Sequence, residues 1–271
     1  SENGYREIKN WSKLNSNVKK VSTFLKTLNI KSKDRVVAYM PNISETVEAF
    51  LGTASIGSIW SSCSPDFGIN GVIERFSQIK PKIMFVTNEY FYNGKRINVL
   101  ERIPEIIKKI PTIKHIVISN YPGESEIKKL PRYKNIKTHH WKNDFEHELA
   151  ILYSSGTTGK PKCICHKSGG VLLQHLKEHQ LHCDIKENDN VFYFTTCGWM
   201  MWNWLISVLA TKASIVLYDG SPMYRKEDVL LKIANKERIT LFGISAKYID
   251  ALRKTGRNYK KLYKLSKLRT I

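Results

Sequence analysis

Residues 148–166 read E-L-A-I-L-Y-S-S-G-T-T-G-K-P-K-C-I-C-H. An apolar strand candidate, Leu149–Tyr153, runs directly into a loop of hydroxyl and glycine residues, and Pro161 and a second strand candidate follow. Glycine has no Cβ to keep backbone N–H groups from closing on a polyphosphate, and it admits positive φ. Hydroxyls donate hydrogen bonds to phosphate oxygens, and a lysine adds positive charge. The sequence therefore predicts a phosphate-binding loop, called the phosphate loop below, made of Ser154, Ser155, Gly156, Thr157, Thr158, Gly159 and Lys160.

An ordinary polar turn is the alternative for this loop, since serine, threonine and glycine are common in turns. A plain turn has no need for so many adjacent hydroxyls beside two glycines, so phosphate binding is favoured. The loop also differs from the Walker pattern G-x-x-x-x-G-K-[ST], because only two residues separate its glycines and a proline follows its lysine.

Short apolar runs alternate with amphipathic runs along the chain. Runs rich in β-branched residues predict strands at residues 36–40, 83–86, 114–118, 149–153, 191–195, 214–218 and 239–242. Apolar residues at three- and four-residue spacing predict helices at residues 11–28, 44–56 (capped by Ser44), 97–109, 171–182, 227–236 and within 253–267. This alternation predicts an α/β fold with mainly parallel sheets flanked by helices. We predict a first α/β subdomain at 1–120, a joint that begins the second subdomain at 121–148, and a second α/β subdomain at 149–271.

The composition is that of a globular protein with an excess of positive charge. The 44 Lys and Arg residues against 24 Asp and Glu residues give a net charge of +20, which leaves nucleic-acid binding open as an alternative function. The basic residues are spread along the chain and no known nucleic-acid-binding module is visible, so we predict no nucleic-acid partner. The cysteines form no C-x-x-C pair, and no apolar stretch reaches the ~18 residues of a membrane span. We expect a cytoplasmic protein with reduced thiols and no membrane contact.

The phosphate loop resembles the signature of the adenylate-forming superfamily, which includes acyl-CoA synthetases, luciferases and the adenylation domains of peptide synthetases. This resemblance implies ATP, Mg²⁺ and coenzyme A as cofactors. It also implies that residues 154–160 hold the β- and γ-phosphates of ATP. Residues 34–42, D-R-V-V-A-Y-M-P-N, are similar to a segment near the start of acyl-CoA synthetase domains.

Further segments are similar to the acetoacetyl-CoA synthetase branch, namely I-W-S-S-C-S-P-D-F at 59–67, Y-N-G-K at 92–95 and T-T-C-G-W-M-M-W-N-W at 195–204. The resemblance implies that Lys95 meets a phosphate of coenzyme A. It further implies an acyl pocket for a short acid, lined by Trp199, Met200, Met201 and Asn203. The alternative is that the three tryptophans and two methionines of residues 199–204 belong to the core, as aromatic and methionine clusters usually do.

One further motif competes with this interpretation. Residues 175–179, H-L-K-E-H, spell the inverted zinc-protease pattern, and two histidines four positions apart share a helix face. A chance match to a five-residue pattern is the alternative, and we expect no metal site there.

The resemblance also implies parts that these 271 residues do not contain. They are a glycine-rich turn that packs on adenine, an acidic residue for magnesium, an aspartate for the ribose, and a mobile C-terminal lid domain with a catalytic lysine. We therefore expect a fragment of a ligase that converts acetoacetate, ATP and coenzyme A to acetoacetyl-CoA, AMP and diphosphate. We expect it to be inactive alone, with no catalytic residue assigned and a missing C-terminal part that could lie on another chain. A non-catalytic degenerate remnant is the alternative.

Overall fold

The computed structural model describes residues 1–121, 142–154 and 159–271. Its strands are β1 (Arg35–Tyr39), β2 (Ile59–Cys63), β3 (Ile83–Thr87), β4 (Glu89–Tyr92), β5 (Lys95–Asn98), β6 (His115–Ser119), β7 (Glu148–Ser154), β8 (Lys162–Lys167), β9 (Asn190–Tyr193), β10 (Ser214–Val216) and β11 (Leu241–Gly243). Its α-helices are α1 (Trp11–Thr27), α2 (Ser44–Ala54), α3 (Ile69–Ile79), α4 (Ile103–Lys109), α5 (Ser168–Lys177), α6 (Met200–Ser207), α7 (Val229–Lys236), α8 (Ala246–Lys254) and α9 (Tyr259–Leu262). Short 3₁₀ turns occupy Leu100–Arg102 and Val208–Thr211, and a π-helical turn occupies Glu178–His182.

A six-stranded sheet forms the centre of the larger layer, in the order β6-β3-β1-β2-β7-β8. Its first five strands are parallel, and β8 returns antiparallel to β7. Successive side chains of β1 point to opposite faces, so that Val36 and Ala38 join one core and Val37 and Tyr39 join the other. Helices α1 and α2 cover the first face, and α3 and α4 cover the second. Burial on both faces explains why β3 and most of β1 are continuous apolar runs.

A second, three-stranded parallel sheet has the order β10-β9-β11. Helices α7 and α8 pack on the face that includes Phe192, and α6 packs on the face that includes Val191. Helix α6 also joins the two sheets. Trp202 enters the core of the six-stranded sheet, where its ring stacks on Trp60 at 6.5 Å between centroids, whereas Trp204 packs in the core of the second sheet.

The predicted fold class is confirmed: the protein is an α/β fold with mainly parallel sheets flanked by helices. Strands β7 and β8, which begin the predicted second subdomain, hydrogen-bond into the same sheet as β1, β2, β3 and β6. The division of the chain into subdomains at 1–120, 121–148 and 149–271 stays a prediction, and much of the predicted joint lies outside the described residues.

Three local predictions differ from the structure. Ile97 lies in β5, not in a helix, because Asn93 (φ 51°) and Gly94 (φ 77°) form the two-residue turn of a β4–β5 hairpin. Ser44 does not cap α2, whose N-cap is Ile43; its hydroxyl donates to Glu45 instead. The tail helix predicted within 253–267 is interrupted at Gly256, whose φ of 67° ends α8 in the left-handed region.

Candidate functional site

The phosphate loop leaves the carboxyl end of β7 and returns through β8. Ser154, half-buried, is the last residue of β7 and pairs with Lys162 across the two strands. Gly159 has a φ of 153°, and a Cβ added there would meet no atom of the described residues within 4 Å. Lys160 is exposed. The described ends of the loop therefore border open space and offer one cationic side chain, while Ser155, Gly156, Thr157 and Thr158 lie outside the described residues.

Strand β2 lies beside β7, the strand that leads into the phosphate loop. It runs parallel to β7 with Trp60 opposite Ala150, so the carboxyl ends of the two strands lie side by side. The Ser61 hydroxyl donates to the Ile151 carbonyl at 2.7 Å and lies 3.2 Å from the Tyr153 hydroxyl. Burial raises the pKa of Tyr153 far above its usual range, so this phenol stays neutral.

The segment that precedes Trp199 lies on the carboxyl ends of β1 and β2. The Ser62 hydroxyl donates to the Cys197 carbonyl at 2.6 Å, and the Cys197 thiol donates to the Met40 carbonyl at 2.8 Å. A Cβ on Gly198 would lie 3.7 Å from the Cys63 Cα. The structure thus brings residues 197–199 and the start of the phosphate loop to the same edge of the sheet. Open α/β sheets bind ligands at the carboxyl ends of their strands.

The aromatic and methionine cluster divides between surface and core. Trp199 is 53% exposed and Met200 is 43% exposed, Met201 is half-buried, and both Trp202 and Trp204 are buried. The core alternative therefore holds for the last two residues.

Asn203 is 7% exposed, and neither its amide nitrogen nor its amide oxygen has a hydrogen-bond partner among the residues that the structure describes. It lies one helical turn after Met200 on α6, because residues three apart in a helix share a face, and Trp199 is the N-cap of this helix. Buried amide groups are nearly always hydrogen-bonded. This side chain is therefore available to a ligand or a water molecule.

Lys95 is the first residue of β5, directly after the Asn93–Gly94 turn, and its side chain is exposed. The Glu2 carboxylate accepts backbone N–H groups of Asn93 at 2.9 Å, Gly94 at 2.5 Å and Ser221 at 2.7 Å, and so fixes the hairpin to the body of the protein. No pattern in the sequence predicted this contact.

The H-x-x-E-H residues point inward. His175 and His179 are both buried, and each ring lies 2.9 Å from the Ser207 hydroxyl through one nitrogen. Glu178 accepts the Trp204 indole N–H at 2.9 Å. Within residues 1–121, 142–154 and 159–271, no three His, Cys, Asp or Glu side chains are grouped so that they could hold a metal ion.

A polar cluster that sequence reasoning missed joins the two sheets just beyond β1. Asn42 accepts the Trp202 indole N–H at 2.9 Å, and its own amide donates to the Tyr218 carbonyl at 3.3 Å. Asp219 accepts the Tyr121 hydroxyl at 3.1 Å and the Asn42 backbone N–H at 3.3 Å. Burial raises the pKa of Asp219 to about 6. In the sequence, this cluster was signalled by the similarity of residues 34–42, which include Asn42, to acyl-CoA synthetase domains.

A cavity of about 950 Å³ adjoins this cluster, between the N-terminal segment and the second sheet. Trp11 and Ile233 are among its lining residues together with Asn42 and Asp219, and none of the predicted site residues that the structure describes is. Among the helices that the structure describes, none combines the length and the apolar character needed to cross a membrane.

Comparison with known proteins identifies the family. The family model described as "AMP-binding enzyme" matches residues 4–271. The acetoacetyl-coenzyme A synthetase of Rhizobium meliloti is 46% identical over 96% of this chain, and that of Gallus gallus is 45% identical over 91%. The solved acetoacetyl-CoA synthetase of Streptomyces lividans superposes with a TM-score of 0.94 at 37% identity over 99% of this chain. The chain spans 41%, 39% and 43% of these three relatives, respectively. Strand β7, which leads into the phosphate loop, and residues 197–199 lie at one edge of the sheet. The chain belongs to the AMP-binding enzyme family.

Proposed function

We propose that this chain is part of an ATP-dependent acid–thiol ligase that acts on acetoacetate. In the proposed reaction the acetoacetate carboxylate attacks the α-phosphorus of ATP and diphosphate leaves; the thiol of coenzyme A then attacks the acyl-adenylate and AMP leaves. One observation carries the proposal: the phosphate loop leaves β7, and residues 197–199, which follow β9 of the second sheet, lie on the carboxyl ends of β1 and of β2, the neighbour of β7. The names of the relatives support acetoacetate as the acid.

The described ends of the phosphate loop fit a polyphosphate. The left-handed backbone and open surroundings of Gly159 allow a close approach of phosphate oxygens. The Ser154 hydroxyl can donate a hydrogen bond, and the exposed Lys160 ammonium can neutralise charge. Magnesium commonly binds through substrate phosphates and only one or two carboxylates. We therefore propose Mg²⁺ as an ion that arrives with ATP, which needs no carboxylate cluster in the described part of the chain.

The proposed acyl pocket has Trp199 and Met200 at its mouth, Met201 at its side and Asn203 at its floor. The exposed Trp199 ring and the exposed Met200 thioether offer apolar surface for a short chain. The unpaired Asn203 amide can supply one hydrogen bond to an oxygen of the acid. Lys95 remains a proposed contact for a phosphate of coenzyme A, supported by its exposure beside a hairpin turn that Glu2 holds in place.

We also propose that these 271 residues alone have little synthetase activity, supported by the 41% of the Rhizobium meliloti relative that they span. No catalytic residue is proposed among them, and no nucleic-acid or membrane partner. Acetoacetate-dependent AMP formation by the isolated chain would contradict this proposal.

The test is acetoacetate-dependent diphosphate release by the full-length protein in which the chain occurs, with butyrate as the comparison acid. Lys160→Ala should raise the KM for ATP about tenfold or more, because a charge-assisted hydrogen bond to phosphate is lost. Lys162→Ala, an exposed lysine two positions along on β8, is the matched control and should change KM less than about twofold. Absence of acetoacetate-dependent diphosphate release would refute the ligase proposal, and equal effects of the two variants would refute the role of Lys160.

A further inference from the structure

The buried histidine pair of the H-x-x-E-H motif contacts the helix that carries the proposed acyl pocket. His175 lies on α5 and His179 on the π-helical turn that follows it. Both are buried, at 5% and 0% exposure, and their ring centroids are 6.1 Å apart. Each faces the Ser207 hydroxyl at the last turn of α6.

The single hydroxyl proton of Ser207 decides which nitrogen is protonated in the His175 ring and in the His179 ring. The single hydroxyl proton of Ser207 is donated to the Trp204 carbonyl at 2.7 Å. The hydroxyl oxygen can therefore only accept from the two histidines. It follows that His175 carries its proton on Nδ1 and His179 on Nε2. Burial lowers the pKa of both rings, that of His179 to about 4, so both are neutral near pH 7.

Two further contacts connect the same elements. The Trp204 indole N–H donates to Glu178 at 2.9 Å, and the Trp204 ring meets the His179 ring edge-on at 4.4 Å between centroids. Together with the two bonds to Ser207, these contacts fix the last turn of α6 against α5 and the π-helical turn. The helix is only eight residues long, so its last turn and its first behave as one rigid unit. Asn203 stands one turn before Ser207 on the same face.

A metal site would need a different arrangement. The two nitrogens that face Ser207 both carry protons in this assignment, and a metal ligand must present an unprotonated nitrogen. The remaining nitrogen of His179, Nδ1, is buried and meets no hydrogen-bond partner in the described part of the chain. No group of three metal-ligating side chains includes it among the described residues.

We propose that His175 and His179 are positioning residues, which hold α6 and the acyl pocket at its start by donating to one serine hydroxyl. The inference rests on the proposed acid-binding site for its effect on activity, whereas the tautomers rest on geometry alone. Loss of the shared acceptor leaves two buried N–H groups unpaired. We expect the resulting shift of α6 to weaken the binding of acetoacetate about tenfold.

The test compares variants of the full-length protein. Ser207→Ala should raise the KM for acetoacetate about tenfold with the KM for ATP within about twofold. Ser214→Ala, an exposed serine on β10, is the matched control and should leave both unchanged. His179→Gln, which keeps a donor at a similar reach, should stay within about threefold of the parent protein, whereas His179→Phe should behave like Ser207→Ala. Equal effects of the glutamine and phenylalanine variants, or an unchanged KM for acetoacetate in Ser207→Ala, would overturn the positioning role.

A second measurement needs neither activity nor a folded variant. In ¹⁵N NMR spectra of histidine-labelled parent protein, His175 should show the Nδ1–H tautomer and His179 the Nε2–H tautomer. The opposite tautomer of either ring, or stoichiometric zinc in the purified protein, would refute the network. If the parent protein shows no acetoacetate-dependent activity, the proposed function fails, and the tautomers still decide whether the histidines share Ser207.

Discussion

Replacing the buried Asp219 should change how stability depends on pH. The carboxyl group is 9% exposed and accepts the Tyr121 hydroxyl and the Asn42 backbone N–H, yet burial raises its pKa from 3.8 to about 6. The unfolded chain therefore loses this proton at a lower pH than the folded chain does. The contribution of Asp219 to the free energy of unfolding is therefore complete below about pH 4, and it is lost as the pH rises through about 6. The difference between the two pKa values corresponds to roughly 3 kcal/mol.

Asp219→Asn removes this titration while keeping an oxygen that can accept the Asn42 N–H. The variant should gain stability relative to the parent protein as the pH rises from about 4 to about 7, by up to roughly 3 kcal/mol. Urea unfolding of both proteins at several pH values measures the difference, in which all other titrating groups cancel. Asp184→Asn, at an exposed position after the π-helical turn, is the control. A parent–variant difference that stays constant across this pH range would refute the reasoning.

Two further substitutions test the packing. Trp202→Phe should lower the free energy of unfolding by about 2–4 kcal/mol, because it leaves a cavity in the core and removes the donor to the buried Asn42 amide oxygen. In urea unfolding, Trp11→Phe at an exposed position is the control and should cost less than about 0.5 kcal/mol. Equal costs of the two substitutions would contradict the assignment of Trp202 to the core. Gly243→Ala should cost about 1–3 kcal/mol, since its Cβ would lie 2.0 Å from the Tyr193 ring. Gly170→Ala is the control, because Gly170 lies in α5 and its new Cβ would meet no atom of the described residues within 4 Å. It should raise the free energy of unfolding by about 0.5–1 kcal/mol in thermal unfolding. A gain in stability for Gly243→Ala would show that the Tyr193 ring moves aside at no cost.

The local sequence pattern predicted most strands and helices of the fold, but fewer of the turns that interrupt them. The β-branched run at 83–86 became β3 within one residue, because burial on both faces of a parallel strand leaves an unmistakable apolar run. The hairpin at Asn93–Gly94 was missed although the dipeptide is a strong turn signal. The apolar spacing from Ile97 onward matched a helix equally well, and only the strand partner decided between the two.

The order of residues alone establishes the alternation of strands and helices, the strand that leads into the phosphate loop, and the resemblance to adenylate-forming enzymes. These properties depend on residues close together in the chain, where periodicity and motif spacing are visible. The exposure of Trp199 and the burial of Trp202 are set by the tertiary structure. So is the hydrogen bond from the Trp202 indole N–H to the Asn42 amide oxygen, which lies 160 positions away in the chain. The tertiary structure also decided that His175 and His179 share Ser207. A linear pattern shows which side chains share a face of an element, but the partner of that face is fixed only when distant elements pack together.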